Sequence, residues 1–197
     1  MLYKQLERIA PDLSKFLLQV APEISEEDVE VLKGSSIPRG IQGRGKCYLF
    51  SYRNPLGKGK PNLPYYHTFP MVISLGQETR HLLGVNPFYL GPTMRSTLVD
   101  SLLSSLKGDP EDMDTGCNIS YELIDKYRSS LYPVFPCIKR YVHARMSKVV
   151  LQIKPSLWKE MYLGPVSKKH QSLFLGRSSR SVWAKSRIQA QNERKKK

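Results

Sequence analysis

Lys and Arg residues are concentrated in two segments, and their chemistry suits the binding of phosphate. Residues 136–197 carry sixteen Lys or Arg against two acids, Glu160 and Glu193, so their net charge of +14 equals that of the whole chain. Residues 36–60 carry six cations and no acid. Charge confined to two segments predicts a polyanionic partner, most often nucleic acid, although an anionic membrane surface or an inert basic tail would also fit.

The first basic segment combines its cations with glycines and tyrosines that could meet nucleic acid. Glycines let the backbone approach phosphates closely, Arg pairs with phosphate bidentately, and Tyr48 or Tyr52 could stack on bases. The same tyrosines could instead belong to the core of the protein. The predicted nucleic-acid contacts of this segment are Arg39, Arg44, Lys46, Arg53, Lys58 and Lys60.

The second basic segment interleaves its cations with serines, a composition typical of contacts to the nucleic-acid backbone that do not depend on base sequence. No helix-turn-helix, zinc-finger or RNA-recognition signature accompanies it, so sequence-specific recognition is not expected. A solvated tail without a specific partner is the alternative. The predicted contacts here are Lys168, Lys169, Arg177, Arg180, Lys185 and Arg187.

One short motif permits an enzymatic alternative. Residues 151–155 (LQIKP) are similar to the acid-x-Lys element of restriction-type nucleases, in which a carboxylate binds a divalent metal and the lysine stabilises developing charge. Gln152 occupies the acid position and is a poor Mg²⁺ ligand, and the carboxylates of residues 109–114 could contribute only from an upstream loop. An ordinary strand beside a solvated acidic loop is therefore the favoured interpretation.

The remaining residues that could do chemistry form no recognised site. The three cysteines are scattered and the four histidines have no helical i,i+4 spacing, so neither a disulfide framework nor a metal centre is predicted. No nucleophile elbow, Walker A loop or dinucleotide-binding turn is present. The sequence also lacks a signal-peptide pattern and any apolar run near the ~20 residues of a membrane span. We therefore expect a soluble binding protein without a cofactor.

Hydrophobic periodicity predicts the elements that must position these residues. An apolar stripe over residues 2–20, broken at Pro11, predicts two helices, and Ser25 followed by three acids predicts a third helix that ends at Gly34. Alternating or β-branched runs predict strands at residues 47–52, 69–75, 81–89 and 148–153. Further helices are predicted at residues 92–108, at 121–131, at 158–163 and from 178 onward.

These elements predict an α+β fold, in which a small antiparallel sheet or open β-barrel is covered by helices and followed by a basic C-terminal helix or tail. Changes in composition divide the chain into three parts. They are an N-terminal helical segment at residues 1–34, an α+β core domain at residues 35–166 and a basic C-terminal extension at residues 167–197.

Two runs of residues carry a resemblance to a known family. LPYYHTFP at residues 63–70 and LGVNPFYL at residues 83–90, followed by Arg95, resemble a recurrent pattern in small proteins of large tailed bacteriophages. The chain departs from that pattern at His67, where the family has Asp, and at Phe88, where it has His. The similarity continues through a Cys-x-Lys-Arg-Tyr run, a Trp and a Val-Trp-x-x-Ser run, and spans roughly residues 46–188.

The resemblance implies a function, because such proteins are described as DNA end protectors or minor virion proteins that shield genome ends from host exonucleases. We therefore expect a non-enzymatic phage protein that binds nucleic acid, double-stranded DNA or its ends, through backbone phosphates. Other virion proteins are further expected partners, a membrane is not, and the expected locations are the host cytoplasm and the virion. The alternatives are a metal-dependent nuclease and a structural connector that completes the head after DNA packaging.

Overall fold

The computed structural model of the protein describes residues 2–33, 37, 43–53, 67–77, 79–90, 92–119, 137–164, 188 and 192. In this part of the chain the helices are α1 (Leu2–Ile9), α2 (Pro11–Val20), α3 (Pro92–Leu103) and α4 (Trp158–Leu163). The strands are β1 (Val29–Lys33), β2 (Cys47–Tyr52), β3 (Met71–Gln77), β4 (His81–Val85), β5 (Leu106–Lys107), β6 (Gly116–Cys117), β7 (Ile138–Val142) and β8 (Met146–Ile153).

The two N-terminal helices form as the apolar stripe predicts. α1 ends before Pro11, which occupies the first position of α2, where a missing amide hydrogen costs nothing because that group has no partner within the helix. The stripe residues Leu6, Leu13 and Leu17 are fully buried. Proline therefore separates two helices that share one apolar face.

The helix predicted after Ser25 is wrong, because residues 29–33 form strand β1. The carboxylate of Asp28 accepts hydrogen bonds from the amide and hydroxyl of Ser25 at 2.8 and 2.7 Å, so the expected helix cap closes a turn instead. β1 then pairs antiparallel with β8, with Val29 opposite Ile153. Pairing with a distant strand and the β-branched valines of the segment outweigh the local cap signal.

The main sheet has six strands in the order β1-β8-β2-β3-β4-β7, and all neighbours are antiparallel. β3 and β4 lie between β2 and β7, yet the hydroxyl of Tyr52 in β2 accepts a hydrogen bond from the amide of Val142 in β7 at 3.3 Å. This contact shows that the sheet is strongly curved. β7 and β8 are joined by one 3-10 turn, His143–Arg145, and do not pair. The predicted α+β class with an open antiparallel sheet is confirmed.

Both faces of the sheet are buried. On one face, the helices pack against strand residues that include Leu49, Ile73 and Leu151, and Trp158 of α4 is fully buried there. The other face carries an aromatic cluster in which the rings of Phe50 and Tyr52 meet a third ring edge-on, that of Tyr141. The strand tyrosines that could have stacked on bases are therefore core residues.

Several element ends differ from the predicted ones. β4 stops at Val85, because Pro87 begins a 3-10 turn in which the side chain of Asn86 accepts the amide hydrogen of Phe88 at 3.1 Å. α3 stops at Leu103, because the following residues pair with β6 as strand β5. The helices predicted at residues 121–131 and from 178 lie outside the described residues. Among the described helices, none has the length and apolarity needed to cross a membrane.

Candidate nucleic-acid interface

Five cations lie on the segments that come together where the chain turns from β7 into β8. The amide of Arg53 donates to the carbonyl of Arg145 at 2.9 Å, and its guanidinium donates to the carbonyl of Ala144. The amide of His143 in turn donates to the carbonyl of Arg80 at 3.0 Å, which brings the β3–β4 connection to the same place. We call this surface the basic corner, and its cations are Arg53, Arg80, Arg140, Arg145 and Lys148.

The basic corner is accessible, and the described residues of its segments include no carboxylate. Four of its five cations are exposed and Arg145 is half-buried. Of the described residues 51–53, 79–81 and 138–148, which build the corner, none is Asp or Glu, and Glu78 precedes residues 79–81 in the β3–β4 connection. Exposed arginines suit contacts to phosphate oxygens.

Two predicted contacts, Arg44 and Lys46, lie at the opposite end of β2 from Arg53. The ammonium of Lys46 is 2.8 Å from the carboxylate of Asp114, and this contact lowers the pKa of the Asp114 carboxyl group. The carbonyl of Gly45 accepts the amide hydrogen of Cys117 at 3.1 Å. Glycine permits this close approach of the two backbones, because a Cβ atom at residue 45 would lie 2.1 Å from the carbonyl oxygen of Cys117. The fold thus places the first basic segment at two separate ends of one strand.

Acidic residues from two loops gather beside Lys46. The loop between β5 and β6 is held to β8, because the side-chain amide of Gln152 donates to the carbonyl of Met113 at 2.6 Å. The turn before β1 is held there too, since the amide of Lys154 donates to the carbonyl of Asp28 at 3.1 Å. We call this end the acidic pole, and its carboxylates are Glu27, Asp28, Glu30, Asp109, Glu111, Asp112 and Asp114.

The basic corner and the acidic pole therefore differ in charge. Seven carboxylates at the acidic pole face four cations, so the pole has a net charge of −3. The described residues of the basic corner carry five cations and no acid, or +5. The corner adjoins Met146 and the pole adjoins Ile153, and the seven residue steps of β8 between them span about 23 Å. The cations at the pole are Arg44, Lys46, Lys107 and Lys154.

The nuclease alternative required the acidic loop to lie near Gln152 and Lys154, and the fold does bring them together. The ammonium of Lys154 lies 3.8 Å from the carboxylate of Glu111. The side-chain amide of Gln152 nevertheless donates a hydrogen bond to the carbonyl of Met113 in the loop, and Gln152 has no carboxylate that could bind a metal ion. Within the residues that the structure describes, no three His, Cys, Asp or Glu side chains are placed to hold a metal ion.

The residues that carry the family resemblance are buried and hold the fold together. The side-chain amide of Asn86 lies 2.8 Å from Nδ1 of His67 and donates to the hydroxyl of Tyr141 at 2.9 Å. Because an amide nitrogen only donates, Nδ1 of His67 is the acceptor of this bond. His67, at the position where the family has Asp, supplies an acceptor that a carboxylate could also supply.

Arg95 completes this structural motif from α3. Its guanidinium is only 2% exposed and donates to the carbonyls of Leu90 at 2.9 Å, Pro87 at 3.3 Å and Tyr162 at 3.3 Å. It also lies 5.2 Å from the centre of the Phe88 ring, a favourable cation–π geometry. The arginine thus ties the 3-10 turn to α4, and we assign it a structural role.

Lys139 belongs to the basic run of the sequence but faces the interior. Its ammonium lies 4.0 Å from the centre of the Tyr89 ring, and burial lowers the pKa of Lys139 from 10.5 to about 7. The loss of hydration outweighs the attraction of the ring for a cation. Lys139 therefore does not contribute a full charge to the surface at neutral pH.

The structure describes only three of the twelve predicted contacts, with Arg44 and Lys46 at one end of β2 and Arg53 at the other. The other nine, from Arg39, Lys58 and Lys60 to the C-terminal cations, lie outside the described residues. Sequence analysis missed the corner as a unit, because Arg80 stands alone in the sequence and its approach to the turn that contains Arg145 depends on the pairing of β4 with β7. The acid-free run over residues 138–148 was the available signal.

The fold is α+β with an open antiparallel sheet, and its described surface carries the basic corner and the acidic pole. Residues 26–186 match the family described as phage T4 terminal DNA protecting protein, and the chain belongs to that family. The match includes the sheet and excludes α1 and α2. Comparisons with curated proteins and with solved structures found no match.

Proposed function

We propose that this protein protects the ends of a phage genome by binding duplex DNA through its backbone phosphates, without cleaving it. Family membership supports the role, and the basic corner, whose described residues include five cations and no acid, is the observation that supports a phosphate-binding surface. The proposed primary contacts are Arg53, Arg80 and Lys148, which are all exposed. In this proposal the C-terminal extension, residues 167–197, adds further phosphate contacts.

The proposed mechanism is steric protection. An exonuclease must reach the terminal phosphodiester bonds, and a protein that is held there by several Lys and Arg contacts denies it access. Contacts to phosphates position a protein without reading sequence, so one protein can serve any genome end. The protein acts in the host cytoplasm and travels in the virion with the DNA, and other virion proteins are expected neighbours.

The decisive experiment is an exonuclease protection assay on a linear blunt-ended duplex. We expect the wild-type protein to slow digestion and the variant Arg80→Gln/Lys148→Gln to protect at least about tenfold less well, since each lost phosphate contact weakens binding. Lys4→Gln/Arg8→Gln is the matched control, because it removes two exposed cations from α1 and should protect normally. Equal protection by both variants would remove the corner from the proposal.

The same reactions test the nuclease alternative when they are repeated with Mg²⁺ and without exonuclease. Intact DNA is expected. Shortened products that disappear on substitution of Lys154 would instead favour cleavage at the acidic loop, where Lys154 lies beside Glu111.

A further inference from the structure

Strand β1 is an edge of the six-stranded sheet, and its outer side is unpaired. The amide of Lys154 donates to the carbonyl of Asp28 at 3.1 Å, which continues the β1–β8 register and fixes which residues face β8. Alternate residues of an antiparallel strand turn their backbone groups to opposite sides, so Val29, Val31 and Lys33 direct theirs away from β8. Within the residues that the structure describes, these outer N–H and C=O groups have no hydrogen-bond partner.

The side chains of β1 leave both hydrophobic clusters of the protein open at this edge. Val31 packs against the cluster on the helix-covered face and Leu32 against the aromatic cluster, yet both side chains are only half-buried. A further strand beside β1 would remove more of their nonpolar surface from water. An unpaired edge of this kind is a site at which another extended strand can join a sheet through backbone hydrogen bonds.

We propose that β1 pairs with β1 of a second copy of this chain, antiparallel and about a two-fold axis at Val31, so that the two sheets become continuous. The inference goes beyond the proposed function and requires no DNA. In this register Val31 lies opposite Val31 of the second copy, and Val29 lies opposite Lys33, so every outward-facing backbone group of the five-residue strand gains a partner. A shift by one residue opposes outward-facing to inward-facing groups, and a shift by two leaves some of them unpaired.

The charges around β1 favour the same register. Lys33 of each copy lies opposite Val29 of the other, two residues from the exposed Glu27, and such diagonal neighbours are within reach of a long side chain. A shift by two residues towards the start of the strand would place Glu30 directly opposite Glu30 of the second copy. In the proposed register these two carboxylates lie diagonally, so the dimer has two contacts between opposite charges and one between like charges.

Sedimentation of the full chain at several protein concentrations, without DNA, is the first measurement. Two five-residue strands make a small interface, so we expect a reversible equilibrium between monomer and dimer. Val31→Pro removes an outward-facing N–H that β8 does not use, so the strand can keep its pairing with β8. Because each copy loses a hydrogen bond at the axis, this variant should raise the dimer dissociation constant at least about tenfold.

Hydrogen exchange at the amide of Val31 is the second measurement. In the proposed dimer this amide is protected only at concentrations at which two copies associate. Protection of the same amide in the monomer would show that another part of the chain pairs with the edge, and would overturn the inference.

Charge reversal tests the register without proline. Glu27→Lys and Lys33→Glu should each weaken self-association, whereas a mixture of the two variants should associate again, because every Lys–Glu contact of the mixed dimer joins opposite charges. Glu30→Gln should strengthen the dimer, since it removes the contact between like charges. The matched controls are Lys15→Glu and Glu160→Lys, which reverse exposed charges on helices and should leave the equilibrium unchanged.

A wild-type protein that remains monomeric at every concentration would overturn the inference. So would a dimer that none of the β1 variants weakens, or one that the controls weaken equally. These measurements contain no DNA, so their failure leaves the proposed end protection to the exonuclease assay.

Discussion

Two tyrosine hydroxyl groups on the aromatic face of the sheet differ in their hydrogen bonding. The side chain of Tyr48 is fully buried, and its hydroxyl has no hydrogen-bond partner within the part of the chain that the structure describes. The hydroxyl of Tyr141 accepts a hydrogen bond from Asn86 at 2.9 Å. A buried hydroxyl without a partner loses hydration and gains nothing in return.

We therefore expect Tyr48→Phe to leave the free energy of unfolding unchanged or to raise it by about 1 kcal/mol. Tyr141→Phe removes the acceptor from Asn86 and should lower it by about 1 to 2 kcal/mol. Urea unfolding of the two variants provides the measurement, and each serves as the control for the other. Equal losses would mean that the Tyr48 hydroxyl is satisfied in solution.

The buried amine of Lys139 gives stability a dependence on pH. Burial lowers the pKa of Lys139 from 10.5 to about 7, and a smaller effect of Cys137 opposes this shift. Between these two pH values the unfolded chain therefore holds a proton that the folded chain lacks. Stability then rises with pH, by up to about 1.4 kcal/mol per pH unit. Burial also raises the pKa values of Cys47 and Tyr141, and the stability that these two groups contribute is lost as the pH rises. The increase in stability caused by Lys139 can therefore be measured between about pH 7 and 8.5.

The expected result is that wild-type stability increases from pH 7 to 8.5, whereas Lys139→Met is more stable at pH 7 and changes less over the same window. Denaturant midpoints at several pH values would measure it. Parallel profiles for the two proteins would show that Lys139 keeps its proton in the folded state.

At the scale of elements, the junction between β2 and the β5–β6 hairpin depends on one glycine. Gly45 has a φ of +74°, and a Cβ atom there would lie 2.1 Å from the carbonyl oxygen of Cys117. Gly76 also has a positive φ, of +142°, but the nearest atom to its Cβ would be 3.7 Å away, in the side chain of Arg44.

We expect Gly45→Ala to destabilise the protein by at least about 2 kcal/mol, from strain together with the collision, and Gly76→Ala to cost less because only strain applies. Thermal unfolding of both variants tests the difference. If the two variants melted alike, the close packing of the hairpin against β2 would not contribute to stability.

How far the sequence predicts the fold depends on whether the signal for an element is local. The helices around Pro11 and the strands at residues 47–52 and 148–153 follow from periodicity and turn residues, and they form. β1 was mistaken for a helix, because its cap signal is local while its partner strand lies more than a hundred residues away. The same limit applies to the basic corner, whose segments come together through the pairing of strands that are distant in sequence.

At the scale of the whole molecule, the proposed interface predicts a dependence of affinity on salt. Each cation that meets a phosphate adds about −0.9 to the slope of the logarithm of affinity against the logarithm of salt concentration. Arg53→Gln/Lys148→Gln should therefore reduce the magnitude of the slope by about 1.8 relative to the wild-type protein. Titrations between 50 and 200 mM salt, about the range in which such effects are large, provide the measurement.

Lys15→Gln/Lys159→Gln is the matched control for the salt titration, because both lysines are exposed and lie on helices away from the corner. A control slope that falls as much as that of the corner variant would indicate that net charge, and not the corner, attracts the DNA.

The order of the strands also governs how the chain can be made. β8 lies between β1 and β2 in the sheet, yet it is the last strand of the described chain, at Met146–Ile153. Neither β1 nor β2 has its main partner until the ribosome has synthesised three quarters of the protein and released β8 from its exit tunnel. The nascent chain must therefore hold β1 unpaired and β2 paired only with β3 for most of translation, and premature termination before Met146 leaves a fragment that lacks β8 and cannot assemble the six-stranded sheet.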